Sequence, residues 1–162
     1  SIGHGKVTKP NLKNIYEIKK IFHYMSVKVA KRLRIHSYET NTFIIGIKAK
    51  DFWFSEKYKL SQHTNHDKDI FKLCLKLINN FFIQRYGVYQ VQVTAINLEQ
   101  INNQRDLFFN NQNDKNNIDN IIDDINNKFG DLMLRPARLS SEFESPDVIS
   151  PSWRPKGCKK SL

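Results

Sequence analysis

The sequence predicts an α+β fold. It is a two-layer sandwich in which a four-stranded sheet carries two helices on one face, in the order βαββαβ, followed by a C-terminal helical extension. Three observations predict it. Residues 42–50 and 88–96 alternate with period two, and residues 14–33 and 67–81 repeat apolar side chains at helical spacing. Alternation this strict requires that only one face of the sheet be buried.

Residues 1–8, with two glycines flanking His4, read as the first strand. Asn14 can cap the first helix, and Glu17 follows three residues later in a capping-box arrangement. Ile18, Ile21, Phe22, Met25, Val29 and Leu33 form its stripe, while Lys19, Lys20, Lys28, Lys31 and Arg32 lie off it. In residues 42–50, Phe43, Ile45, Ile47 and Ala49 share one face; Thr42, Ile44, Gly46, Lys48 and Lys50 share the other. Residues 51–54 read as a turn with aromatic anchors. Residues 55–60 follow as a short strand whose odd positions, Ser55, Lys57 and Lys59, are polar or basic. Asn65 or Asp67 can cap the second helix, whose buried stripe is Ile70, Cys74, Leu77, Ile78 and Phe81. After Gly87, Tyr89, Val91, Val93 and Ala95 alternate with Gln90, Gln92 and Thr94, and alternation alone does not decide which set faces outward.

The first domain is expected to span residues 1–98. Residues 99–115, rich in Asn and Gln, read as a linker. Residues 116–139 read as a small helix–strand extension: Ile118, Ile121, Ile122, Ile125 and Phe129 form a stripe, Gly130 stops the helix, and residues 132–139 are expected to form a short strand. Residues 140–162, with Pro146, Pro151, Pro155 and Gly157, read as an irregular tail.

Charge narrows the function. The 162 residues carry a net charge of +10. Residues 1–60 hold 13 Lys/Arg against 4 Asp/Glu, residues 61–100 hold 4 against 3, and residues 101–162 hold 9 against 9. An excess gathered in the first third suits a polyanion, with nucleic acid ahead of an anionic membrane surface. No apolar run is long enough to cross a bilayer, so no membrane partner is expected. Cys74 and Cys158 are too few and too far apart for a disulfide framework, and a cytoplasmic location is expected. Because the chain opens Ser1-Ile2-Gly3, with neither initiator Met nor signal peptide, it is expected to be part of a longer polypeptide.

There is no P-loop, GxGxxG, GxSxG or HExxH. His63 and His66 form an HxxH pair that no thiolate or carboxylate cluster completes, and they read as polar residues leading into a helix. Cys74 reads as a small core residue, and the adjacent Asp123 and Asp124 point in different directions on an exposed helix face. No catalytic residue, metal ligand or cofactor is expected within this chain.

Several blocks carry a resemblance. Ser1-Ile2-Gly3-His4-Gly5-Lys6 opens a strand, and a cationic helix ends Val29-Ala30-Lys31-Arg32-Leu33-Arg34. The strand over 42–50, Phe54-Ser55 with Lys57 and Lys59, Thr64, and Arg85-Tyr86-Gly87-Val88 follow. In this order and spacing, over roughly residues 1–98, the chain resembles the little finger domain of bacterial Y-family translesion DNA polymerases of the polymerase IV and V group. Lys128-Phe129-Gly130 with Leu134-Arg135-Pro136-Ala137-Arg138 is similar to the segment after the clamp motif in those relatives.

The resemblance implies a domain that lies along the major groove of primer–template DNA and grips backbone phosphates. The residues it points to are Ser1, Gly3, His4, Gly5, Lys6, Lys48, Lys50, Ser55, Lys57, Lys59, Arg85 and Tyr89. The residue chemistry agrees: Gly3 and Gly5 let main-chain N–H groups approach phosphate oxygens, and the lysines share strand faces. Glu56 and Gln84 stand where relatives often carry basic residues.

Gln104-Arg105-Asp106-Leu107-Phe108 resembles the bacterial sliding-clamp-binding pentapeptide Gln-Leu-(Ser/Asp)-Leu-Phe, with Arg105 in place of the usual Leu and Phe109 following. In that role Leu107 and Phe108 would fill an apolar pocket on the clamp and Gln104 would fix the register. A rival reading is a latch that packs Leu107, Phe108 and Phe109 on the domain's own core. The resemblance further implies a catalytic core in the same polypeptide. That core would be a DNA-directed DNA polymerase whose two Mg²⁺ ions are held by palm carboxylates outside this chain. A free-standing nucleic-acid-binding module and a non-catalytic interaction domain stand as alternatives; the aromatic pairs with which RNA-recognition domains stack bases are not clearly present.

Overall fold

The periodicities resolve into two interleaved βαβ units in the computed structural model, which describes residues 1–81, 83–101 and 112–140. The elements are β1 (Ile2–Leu12), α1 (Ile15–Ile35), β2 (Tyr38–Lys48), β3 (Trp53–Thr64), α2 (Asp67–Asn80), the single turn α3 (Ile83–Tyr86), β4 (Val88–Ile96), β5 (Glu99–Gln100) and α4 (Gln112–Phe129). A 3₁₀ turn, Ala137–Leu139, comes last. The main strands lie in the order β1-β4-β2-β3, with every neighbouring pair antiparallel. The unit β1–α1–β2 therefore has β4 inserted between its strands, and β3–α2–β4 has β2 inserted. This is the α+β sandwich that the sequence predicts.

The core lies between the sheet and the two long helices. Phe43, Ile45, Ile47, Val91, Val93 and Ala95 meet Ile18, Phe22, Met25, Val29 and Leu33 of α1 and Ile70, Cys74 and Leu77 of α2, all fully buried. Each large apolar side chain so buried contributes about 1.5–3 kcal/mol. Burial also pushes the Cys74 thiol up to about 12, as suits a packing residue.

Local chemistry sets the element ends. Asn14 Oδ1 accepts from the Tyr16 N–H at 3.0 Å and its amide donates to Glu17 at 3.2 Å, so the carboxylate steadies the cap instead of bonding the cap's backbone. Helix α2 is capped by neither Asn65 nor Asp67: it starts after His66, whose N–H donates to Thr64 Oγ1, while the Thr64 hydroxyl donates to Asp69. Gly87 sits at φ +64°, where a Cβ would lie 2.2 Å from Asn11 Oδ1, and lets the chain swing directly from α3 into β4.

The first three strands run longer or start earlier than expected, and beyond residue 98 three boundaries differ as well. The sheet continues past residue 98, since β5 pairs Glu99 with Glu39 and Gln100 with Tyr38, and the Ile101 N–H donates to the Ser37 carbonyl at 2.9 Å. Helix α4 begins inside the expected linker. The expected strand over 132–139 does not form: the Asn126 side chain bonds both the N–H and the carbonyl of Leu134, consuming the groups a strand partner would use, and Pro136 offers no N–H.

The extension docks on α1 through its acidic side. Lys28 and Lys31, read from sequence as lying off the apolar stripe, are only 3% and 4% exposed, and both ammonium groups bond Asp131. Arg34 donates to both oxygens of Asp123 at 2.6 and 3.0 Å and lies 3.5 Å from Asp119, which also meets His66 Nδ1 at 2.6 Å. Asp123 is thus an ion-pair partner while Asp124 stays exposed. Leu139 is buried against α1, and the Arg138 guanidinium stacks 5.2 Å from the Phe71 ring. Ile118, Ile121 and Phe129 face solvent.

Burial raises the Asp131 carboxyl, but the hydrogen bonds and charges of Lys28 and Lys31 outweigh it and hold the group below its ordinary 3.8. The stabilisation is therefore present above about pH 4 and fades as pH falls through the lowered folded value. Asp131→Asn is expected to destabilise the protein by about 2 kcal/mol, below the 3–5 typical of broken buried pairs because Asp131 is 30% exposed. Thermal denaturation at pH 7 and pH 3 checks this, the difference between wild type and variant shrinking at the lower pH.

Candidate nucleic-acid interface

Residues directly opposite one another in antiparallel strands share a face, so the register sorts the central rows of the sheet. Three rows run across the side away from the helices. They are Gly3–Thr94–Ile44–Lys57, Gly5–Gln92–Gly46–Ser55 and Val7–Gln90–Lys48–Trp53. Lys59 extends this face one step along β3, opposite Thr42. The intervening rows Ile2–Ala95–Phe43–Tyr58, His4–Val93–Ile45–Glu56 and Lys6–Val91–Ile47–Phe54 lie under the helices.

Of the residues singled out from sequence, Gly3, Gly5, Lys48, Ser55, Lys57 and Lys59 come together on the open side, and Ser1 is exposed just before its first row. His4 and Lys6 do not: their side chains lie on the helix side, where the His4 ring meets Tyr24 edge-on at 6.4 Å and the Lys6 amine sits 5.7 Å from the same ring. Tyr89 has the parity of Val91 and Val93, which also places it on the helix side, half-buried. Gln90, Gln92 and Thr94 are the outward set, and the Gln92 amide donates to Thr94 at 3.1 Å.

Lys50 and Arg85 lie outside the strands at one end of the sheet. The hairpin turn holding Lys50 meets α3, which holds Arg85, through an edge-on contact of Phe52 with Tyr86 at 5.1 Å. Residues Gln104, Asp106, Leu107, Phe108 and Phe109 lie outside the described residues.

Two further features bear on the site. Glu56 is turned to the helix side, where it accepts from the Tyr58 hydroxyl and, at 3.3 Å, from the Asn80 amide. Burial and that carboxylate push the Tyr58 phenol well above its ordinary value. The one acid of β3 is thus withdrawn from the open face. Among the described residues, Lys48, Lys57 and Lys59 have no acidic partner, in contrast to Lys28, Lys31 and Arg34. The other feature is Trp53. Sequence reasoning assigned it to a turn, yet it opens β3 on the same side as Ser55 and Lys57, and its odd number was the available signal. No cluster of His, Cys, Asp and Glu suited to a metal occurs among the described residues, and no helix there is long and apolar enough to cross a membrane.

Lysines two residues apart on a strand stand about 7 Å apart, comparable to the axial rise of two phosphates along one DNA strand. Positive, uncovered by the described helices, and with glycines and short hydroxyls between the cations, this surface can approach a sugar–phosphate backbone closely.

Comparison with known proteins gives one family match: the model of the impB/mucB/samB family C-terminal domain matches residues 1–107. No curated protein matches in sequence. Among solved structures, a complex of the beta-clamp processivity factor with the little finger domain of PolIV is similar at 15% identity and a TM-score of 0.49, over 67% of this chain and 98% of that one.

Proposed function

The chain belongs to the impB/mucB/samB family, as the C-terminal little finger domain of a Y-family DNA polymerase, and from that premise we propose that it holds primer–template DNA against its open sheet face and tethers the polymerase to a sliding clamp. The observation that carries the first half is the group of lysines on the open face, Lys48, Lys57 and Lys59, which stand with Gly3, Gly5 and Gly46 and have no acidic partner among the described residues. Contacts of this kind position a duplex without reading its sequence. Lys50 and Arg85 extend the cationic track past the end of the sheet, and backbone groups at Ser1, Gly3 and Gly5 add close hydrogen-bond donors along the β1 edge. The partner on the protein side is the catalytic core of the same polypeptide, which supplies the Mg²⁺-dependent nucleotidyl transfer in translesion synthesis and DNA repair. This domain supplies grip.

The second half rests on Gln104, Asp106, Leu107 and Phe108, with Phe109 beside them, a run that straddles the end of the family match at residue 107. An apolar pair presented beside a folded domain inserts into a pocket, and the polar residues around it set register.

Duplex affinity is expected to be weak, sequence-tolerant and steeply salt-dependent. Lys57→Ala with Lys59→Ala should lower it roughly tenfold at low salt and reduce the slope of log K against log salt by about 2. Fluorescence anisotropy over a salt series checks this, and an unchanged slope contradicts it. Leu107→Ala with Phe108→Ala should abolish capture by immobilised clamp while the thermal midpoint stays unchanged; a lowered midpoint with capture intact supports the latch instead.

A further inference from the structure

Trp53 is the largest side chain on the open face, and it is 45% exposed. It lies opposite Lys48 in the register but leans diagonally onto Gly46: a Cβ built there would sit 3.1 and 3.3 Å from ring atoms Cζ3 and Cε3. The indole therefore lies against bare backbone, with one part seated on the sheet and the rest turned to solvent. Its register neighbours on this face are Lys48 directly opposite, Ser55 two residues along β3, and, across Gly46 and Lys48, Gln92 and Gln90.

An aromatic platform beside a cation and neutral amides is the equipment with which proteins hold unpaired nucleotides. A base stacks on the ring, its edge meets amides that both donate and accept, and the phosphate meets the ammonium. A duplex makes no use of the ring, because its bases are already stacked on one another. We propose that Trp53, seated on Gly46 beside Lys48, is a stacking site for an unpaired base of single-stranded DNA, distinct from the phosphate grip on duplex. The inference rests on the nucleic-acid reading of this face and adds a preference that charge alone cannot give.

The test uses the full 162-residue chain with Trp153→Phe, which leaves Trp53 as the only indole. Titration with oligo(dT) should quench its emission, whereas a duplex of equal length should leave it largely unchanged. Trp53→Ala should weaken oligo(dT) binding roughly tenfold and duplex binding less than twofold, and Trp53→Phe should recover most of the loss. Gly46→Val keeps the indole but fills its seat, in a β-branched residue that suits a strand; it should reduce oligo(dT) binding in the same direction. Circular dichroism confirms that each variant is folded. Unchanged oligo(dT) affinity in folded Trp53→Ala, or an equal loss on both DNAs, overturns the stacking site. Failure of the phosphate-grip reading shows up separately, as a salt slope indifferent to Lys57 and Lys59.

Discussion

Helices α1 and α2 cover one face of the sheet and only one, and the rest of the molecule follows from that one-sided burial. It commits every second residue of β2 and β4 to the core. Slipping β2 by a single residue would expose Phe43, Ile45 and Ile47 and drive Lys48 inward. Six buried sheet residues, most contributing about 1.5–3 kcal/mol, far outweigh repulsion between exposed lysines, which is worth under about 1 kcal/mol per pair and is screened by salt. The positive face persists because the hydrophobic face determines where its lysines stand.

A second sorting acts on the remaining cations. Lys28, Lys31 and Arg34 point toward a region that the extension covers, and they are neutralised there by Asp131, Asp123 and Asp119. Buried unpaired, they would carry a desolvation cost that no nearby burial could offset. Acidic groups of the extension are thereby held on the helix side, away from Lys48, Lys57 and Lys59. The same arrangement turns the apolar stripe of α4 partly outward, with Ile118, Ile121 and Phe129 in solvent. Ion pairs fix the acidic side of this helix to α1.

The strands and helices that make the sandwich were legible because each carries its own periodicity. Phe43, Ile45 and Ile47 announce a buried strand face without reference to anything distant. What was not legible depends on partners far along the chain. Nothing near Lys28 signals Asp131, 103 residues away. Nor does β1 announce its faces: Val7 is exposed and Lys6 turned inward, because edge-strand register comes from β4 and because the Lys6 amine finds the Tyr24 ring. Trp53 was hidden by a similar cause. Its aromatic neighbours Phe52 and Phe54 do anchor the hairpin, on Phe81 and Tyr86, so all three aromatics read as turn anchors until register separates them.

Backbone amide chemical shifts, followed while a short duplex is added, test most directly whether the open sheet face meets DNA. The account predicts perturbations concentrated at Gly3, Gly5, Gly46, Ser55, Lys57, Lys59 and Thr94, with Ile18, Phe22 and Leu33 of α1 and the docked acids of α4 unmoved. Perturbations centred on α1 or the extension, with the sheet silent, would contradict it.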